Sequence, residues 1–237
     1  MLAISGAPHG TLVSASEQTA GRGRQGRSWL APPSSALLCS LVLRWASNDL
    51  PPPPLSLTAG VAVCDAIDEH MGRHTQVELG QVGLARQARL KWPNDVVVER
   101  TGGDGATSLA KLAGILVEGR PQDGWAVLGI GLNVAVRIDD LPAELRQRAA
   151  SLELEPDAIE PLLQRLLFAL EKRLSENALD TLAAWRKRDA LFDRRVSWDG
   201  RRGLAQGVDN AGHLIVGLPD GGAIALSAGE VHLESVG

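Results

Sequence analysis

Glu17-Gln18-Thr19-Ala20-Gly21-Arg22-Gly23-Arg24-Gln25-Gly26-Arg27-Ser28-Trp29 is the stretch whose reading decides the fold. Glycines and arginines alternate through it, and a tryptophan follows. Glycine lets the backbone turn tightly and approach a ligand closely. Arginine brings planar donors that grip phosphate or carboxylate in pairs. A loop with both is suited to closing over an anionic small molecule. Gly21 to Gly26 also matches the dinucleotide pattern G-x-G-x-x-G, which has meaning only between a strand and a helix, with an acid about 20 residues on. A strand over 11–16 meets the first condition. Ser28-Trp29-Leu30-Ala31-Pro32-Pro33 does not open a helix, and the first acid downstream, Asp49, stands just before four prolines. The dinucleotide reading is rejected. Taken alone, the stretch also fits a solvated surface turn.

The chain of 237 residues suits one core plus at most a small second domain. Its apolar fraction of 44% and charged fraction of 22% are those of a soluble globular protein. A net charge of -4 argues against a general nucleic-acid binder. No apolar run reaches membrane-spanning length, and no basic region leads an apolar core at the N-terminus. Cys39 and Cys64 stand among apolar neighbours and read as buried thiols, not as a metal site or disulfide. The expected compartment is the cytoplasm.

Residues 36–45 form an apolar run of strand length, ended by Pro51 to Pro54. A helix is expected over 56–71, with 72–89 ambiguous. A single strand over 90–99 contains Lys91-Trp92-Pro93-Asn94-Asp95. Residues 101–105 read as a hairpin tip, and 109–118 and 125–134 as two further strands. A short helix over 141–149 and one or two longer ones over 156–188 follow. From Arg195 brief strands broken by Asp199-Gly200, Asp209-Asn210 and Pro219-Asp220-Gly221-Gly222 suggest a small antiparallel barrel, which needs the main domain for stability. The class is α/β (α+β).

Four segments then carry a resemblance. The Glu17–Trp29 stretch, Lys91-Trp92-Pro93-Asn94-Asp95, Lys111-Leu112-Ala113-Gly114-Ile115-Leu116-Val117-Glu118 and Gly129-Ile130-Gly131-Leu132-Asn133-Val134 are similar, in order, to the signatures of the biotin protein ligases. The resemblance implies a catalytic domain over 1–190, a mixed sheet with flanking helices related to class II aminoacyl-tRNA synthetases. An SH3-like domain over 191–237 follows it.

It also implies the chemistry. Biotin is the substrate and ATP with Mg²⁺ the activating partner. The biotin carboxylate attacks the α-phosphate to give biotinyl-5′-adenylate, and a lysine of a biotin carboxyl carrier domain attacks that anhydride. No enzyme nucleophile is required; positioning and charge stabilisation carry the load. On this resemblance Arg22, Arg24 and Arg27 neutralise phosphate and carboxylate oxygens, and loop closure shields the adenylate from water. Lys111 lies between carboxylate and α-phosphate. Gln18 and Gly21 belong to the biotin and adenylate site. Gly114 and Gly129 leave room for the flat biotin bicycle, with Leu116 packing on it and Trp29 walling the closed loop. Asn133 pairs with adenine, and Asn94 and Asp95 face Mg²⁺-ATP, Asp95 as metal ligand.

Members of the family usually begin with another strand and helix carrying a Ser-Thr-Asn motif that contacts biotin. No Ser-Thr-Asn occurs here, so part of the biotin pocket is expected to be missing from these residues or supplied upstream. No N-terminal helix-turn-helix region is seen, so no DNA-binding role is expected; the lack of a spanning apolar run leads to no membrane partner being expected, and a homodimer is compatible with the resemblance. The alternatives are a lipoate or octanoyl transferase of the same superfamily, and a weakened module that only binds biotin or the acceptor. RNA binding by the arginine-glycine segment is disfavoured by one short copy in an acidic chain.

Overall fold

The computed structural model describes residues 2–45, 54–72, 87–101, 107–120 and 123–234. Residues 102–105 of the expected hairpin tip over 101–105 and most of the ambiguous 72–89 stretch lie outside these residues.

The first sheet has six strands: β1 (Leu12–Ala15), β2 (Ala36–Arg44), β3 (Arg89–Lys91), β4 (Asp95–Thr101), β5 (Thr107–Arg120) and β6 (Trp125–Asn133). Their order is β1-β2-β6-β5-β4-β3. Every neighbouring pair is antiparallel, so the expected mixed sheet is corrected. β3 to β6 follow one another as adjacent antiparallel strands, which need no crossover helix.

A second correction falls on 90–99. The segment is not one strand but a hairpin, with Lys91 opposite Asp95 and Arg89 opposite Val97. Pro93 has no N–H to give to a ladder, and the chain reverses at Trp92-Pro93-Asn94.

Helices α1 (Leu55–His70), α3 (Ile159–Ser175) and α4 (Ala178–Arg186) pack together on one side of this sheet; α2 (Ala143–Arg146) is a single turn following β6. α3 buries Leu162, Leu166 and Leu170, one face at a spacing of four residues. They meet Leu37 and Cys39 of β2 and Leu128, Ile130 and Leu132 of β6. Each buried leucine contributes about 2 kcal/mol. Asn177 caps α4, its side chain accepting from the Asp180 N–H at 3.0 Å. Burial pushes the Cys39 thiol up to about 12, and both cysteines are free and buried, as expected.

The C-terminal strands β7 (Arg195–Trp198), β8 (Arg201–Val208), β9 (Leu214–Gly217), β10 (Ala223–Leu226) and β11 (His232–Leu233) form a second antiparallel sheet in the order β10-β9-β8-β7-β11. Val196, Trp198, Val208, Leu214 and Val216 belong to the same apolar cluster as the α1–α3 interface. The indole N–H of Trp92 donates to Gly212 O at 3.0 Å. A parallel bridge joins Leu90 to Asp189. The small sheet thus docks on the hairpin that carries Lys91 and Asp95.

Candidate functional site

The face of the first sheet turned away from the helices carries few large side chains. Gly129 and Gly131 alternate with the buried Ile130 and Leu132, and Gly131 lies opposite Gly114 across the β5–β6 ladder. The indole of Trp29 rests on this floor. A Cβ at Gly131 would come 2.7 Å from Trp29 Cε2, and one at Gly114 would come 3.1 Å from Trp29 Cζ3. Gly129 is less crowded, its nearest neighbour Leu116 O at 3.5 Å. Of the three floor glycines, Gly131 is the one pressed hardest by the indole, and sequence reasoning missed it. The signal was present as the period-two run Gly129-Ile130-Gly131.

The glycine-arginine stretch is a narrow hairpin. Arg22 bridges Ser28; Gly23 N–H donates to Arg27 O at 2.6 Å and Trp29 N–H to Gly21 O at 3.0 Å. Arg24 to Gly26 form its tip, with Gln25 and Gly26 at φ 56° and 74°. Gly21 is required sterically, since a Cβ there would collide with Trp29 O and stand 2.8 Å from Gln18 Oε1. A cleft of about 540 Å³ runs along the hairpin, lined by residues 20–28 with Leu116 and Glu118.

Each arginine reaches a different element. Arg24 donates to Asn94 Oδ1 at 3.1 Å, and Asn94 is fixed by donating to Ile115 O at 2.8 Å. Arg22 pairs with Glu118 at 3.3 Å. Arg27 pairs at 2.7 Å with Glu230, in the loop that leads into β11. The Arg22 and Arg27 pairs are exposed, so each is worth about 0–1 kcal/mol and yields readily to a phosphate. Burial works against an ionised Glu230, but Arg27, with His232 and Lys91, outweighs it and holds the carboxyl below the usual glutamate range.

Lys111 reaches the same face through an irregularity. In the β4–β5 ladder Val97 opposes Lys111 and Val96 opposes Ala113, so Leu112 is an extra residue. Leu112 and Ala113 both enter the core, and Lys111 joins Gly114 on the open face. Its Nζ lies 2.7 Å from Asp95 Oδ1 and 5.7 Å from the Trp29 ring centre. Beside these groups, Asn133 donates to Ala150 O at 2.8 Å. Its Oδ1 and the Trp29 indole N–H are buried without a protein partner among the described residues. An acceptor and a donor are left for a ligand.

The structure thus brings Arg24, Trp29, Asn94, Asp95, Lys111, Gly114 and Asn133 to one face, with Arg22, Arg27 and Leu116 along the adjoining cleft. Asp95 is engaged by Lys111, and no group of three or more His, Cys, Asp and Glu side chains among the described residues is placed to hold a metal ion. No helix among them is long and apolar enough to cross a membrane.

Residues 2–134 match the biotin/lipoate A/B protein ligase family, and the chain belongs to that family. Within it the chain is similar to the biotin–[acetyl-CoA-carboxylase] ligase of Mycobacterium tuberculosis, 36% identical over 249 residues, 98% of this chain and 83% of that protein. It is also similar to the bifunctional ligase/repressor BirA of Bacillus subtilis, 35% identical over 181 residues, 73% of this chain. The aligned part is 48% of that protein, so the chain spans about half the length of such relatives. The solved biotin protein ligase of Aquifex aeolicus in complex with biotin and ATP superposes with a TM-score of 0.71 at 24% identity, covering 97% of this chain and 90% of that one. That likeness establishes the fold.

Proposed function

We propose that this protein is an ATP-dependent biotin–protein ligase. It activates biotin as biotinyl-5′-adenylate and transfers it to a lysine of a biotin carboxyl carrier domain. The observation that carries this reading is the convergence of Lys111 and Arg24 on a floor of glycines roofed by Trp29. The two cations suit an anion, and the indole offers a flat apolar surface to a ring system. The relatives' names, biotin–[acetyl-CoA-carboxylase] ligase among them, support the substrate and acceptor.

In the first step a biotin carboxylate oxygen attacks the α-phosphorus and pyrophosphate leaves. Lys111 stands where it lowers the repulsion between the two anions, which is costly away from water. Arg24, and Arg22 and Arg27 once freed from their exposed partners, neutralise phosphate oxygens as the hairpin closes. Asn133 Oδ1 accepts from the adenine amine, and its buried acceptor disfavours a base presenting a carbonyl there. Mg²⁺ enters with the nucleotide as substrate, Asp95 being the carboxylate beside Lys111. In the second step the acceptor amine attacks the acyl carbon and AMP leaves. The closed hairpin, with Trp29 over the floor, keeps water from taking the amine's place.

The domain reading follows. Residues 1–190 form the catalytic unit, related to the class II synthetases, and 191–237 an SH3-like unit built on the five-stranded sheet. The test is direct. Protein mixed with labelled biotin, Mg²⁺-ATP and a carrier domain should label the carrier lysine and release one pyrophosphate per biotin. A carrier left unlabelled while biotin still binds would reduce the protein to a binding module.

A further inference from the structure

The ligase reading uses Lys111 and the arginines, but leaves a second lysine of the same face without a task. Lys91 ends β3 directly opposite Asp95. Directly opposed residues of an antiparallel pair point to the same face, so Lys91 shares the face on which Asp95 meets Lys111. Beyond it, from the loop that leads into β11, comes Glu230, in the grip of Arg27.

These five groups make a row of alternating charge: Lys111, Asp95, Lys91, Glu230, Arg27. Its two ends are closed pairs at 2.7 Å. Lys91 lies between them, drawn by Asp95 and Glu230 and repelled by Lys111 and Arg27. Burial pulls its ammonium below the ordinary lysine value, while the two carboxylates work to keep it charged. Three cations face two carboxylates, so the row has one positive charge in excess, with Lys91 the cation at its centre.

We infer that Lys91 is a further catalytic residue, the cation that receives the pyrophosphate leaving group. This rests on the ligase reading. The carboxylate oxygen forms its bond to the α-phosphorus, and the bond from that phosphorus to the bridging oxygen breaks. The electron pair departs with pyrophosphate. An in-line displacement puts entering and leaving oxygens on opposite sides of the phosphorus. Lys111 stands over the glycine floor where the entering carboxylate arrives; Lys91 stands past Asp95, toward the second sheet. Charge that develops on the bridging oxygen is thus met by a half-dry cation already in place. Arg27, released by Glu230, takes the outer phosphate.

The experiment separates the half-reactions. Lys91→Met and Lys91→Arg are compared with the parent protein in biotin-dependent pyrophosphate release, in the reverse reaction of supplied biotinyl-adenylate with pyrophosphate, and in transfer from supplied biotinyl-adenylate to a carrier domain. Lys91→Met should slow adenylation about thirtyfold and raise the pyrophosphate needed for reversal about tenfold, as loss of one charge contact does. Transfer, which involves no pyrophosphate, should stay within about twofold of the parent, and so should the KM for biotin. Lys91→Arg should recover most of the adenylation rate. Equal losses in both half-reactions would make Lys91 a structural residue of the hairpin and overturn the assignment, as would an adenylation rate unchanged in Lys91→Met. If the parent forms no adenylate at all, the ligase reading itself falls.

Discussion

Lys111 Nζ and Asp95 Oδ1 lie 2.7 Å apart on neighbouring strands, and neither side chain belongs to the apolar core. Lys111 is the more exposed of the two, at 37% against 20%. The carboxylate fixes the ammonium over Gly114, and a β-bulge puts the lysine on that face at all. A cation held this way is preorganised for charge that appears only during reaction.

Lys111→Gln should accordingly reduce adenylate formation by roughly a hundredfold, a few kcal/mol of lost charge stabilisation. Lys111→Arg should rescue poorly, because a planar fork does not replace a point charge seated on Asp95. Biotin-dependent pyrophosphate release measures this. Parent-like rates in Lys111→Gln would reduce the lysine to a solvated strand residue.

Arg24 reaches Asn94 from the tip of an exposed hairpin. Arg24→Ala removes a phosphate partner while leaving the core untouched. The variant should melt within about 2 °C of the parent, as surface changes do, yet release bound adenylate about tenfold faster. The rate at which adenylate leaves, followed by filtration, decides the matter; tight retention in the variant counts against the assignment.

Gly131→Ala places a methyl group in the Trp29 indole. Overpacking of this kind costs about 1–3 kcal/mol. The least costly relief is for Trp29 to lift off the floor, since its hairpin is held by few hydrogen bonds. Biotin and adenylate should then bind about tenfold or more weakly. Calorimetric titration of Gly131→Ala and Gly129→Ala should show the larger loss at 131, because Gly129 has ordinary clearance. The reverse ranking would mean that Trp29 does not rest on the floor in solution.

Asp189 is buried at the seam between the sheets, with Oδ1 accepting from Leu191 N–H at 2.8 Å and Oδ2 lacking a protein partner among the described residues. Burial raises its pKa from 3.8 to about 6, against the opposing hydrogen bonds and the charge of Arg89. A carboxyl with a raised folded-state pKa is protonated in the folded chain when the unfolded chain has already lost the proton. The stability it contributes is present below about 3.8 and is lost as pH rises through about 6. The loss is on the order of 3 kcal/mol. Asp189→Asn keeps the Leu191 contact and removes the titration. It should be nearly neutral at pH 4 and raise the melting temperature at pH 8 by several degrees. Parallel melting curves of variant and parent from pH 4 to 8 would show that Asp189 is not desolvated.

Much of this protein was determined by local sequence. The apolar runs of β2 and β6 follow from strands covered on both faces, and the four-residue leucine spacing of α3 from side chains that must be buried on one. Glycine beside arginine marked the hairpin as a gripping loop, because few other residues allow such turns. Other features required the folded chain. Strict alternation puts Lys111 on the same side as the buried Ala113 and Ile115; only the extra residue Leu112, forced by pairing with β4, turns it to the open face. Residues 90–99 read as one strand because apolar residues stand at both ends of the segment, but the register with Asp95 opposite Lys91 makes a hairpin. Glu230 and Arg27 are 203 residues apart, and nothing in either local pattern announces the other. A periodic burial pattern is a property of neighbours in sequence; a ladder register or a pair of charges between two distant loops is set by distances that exist only once the whole chain has packed.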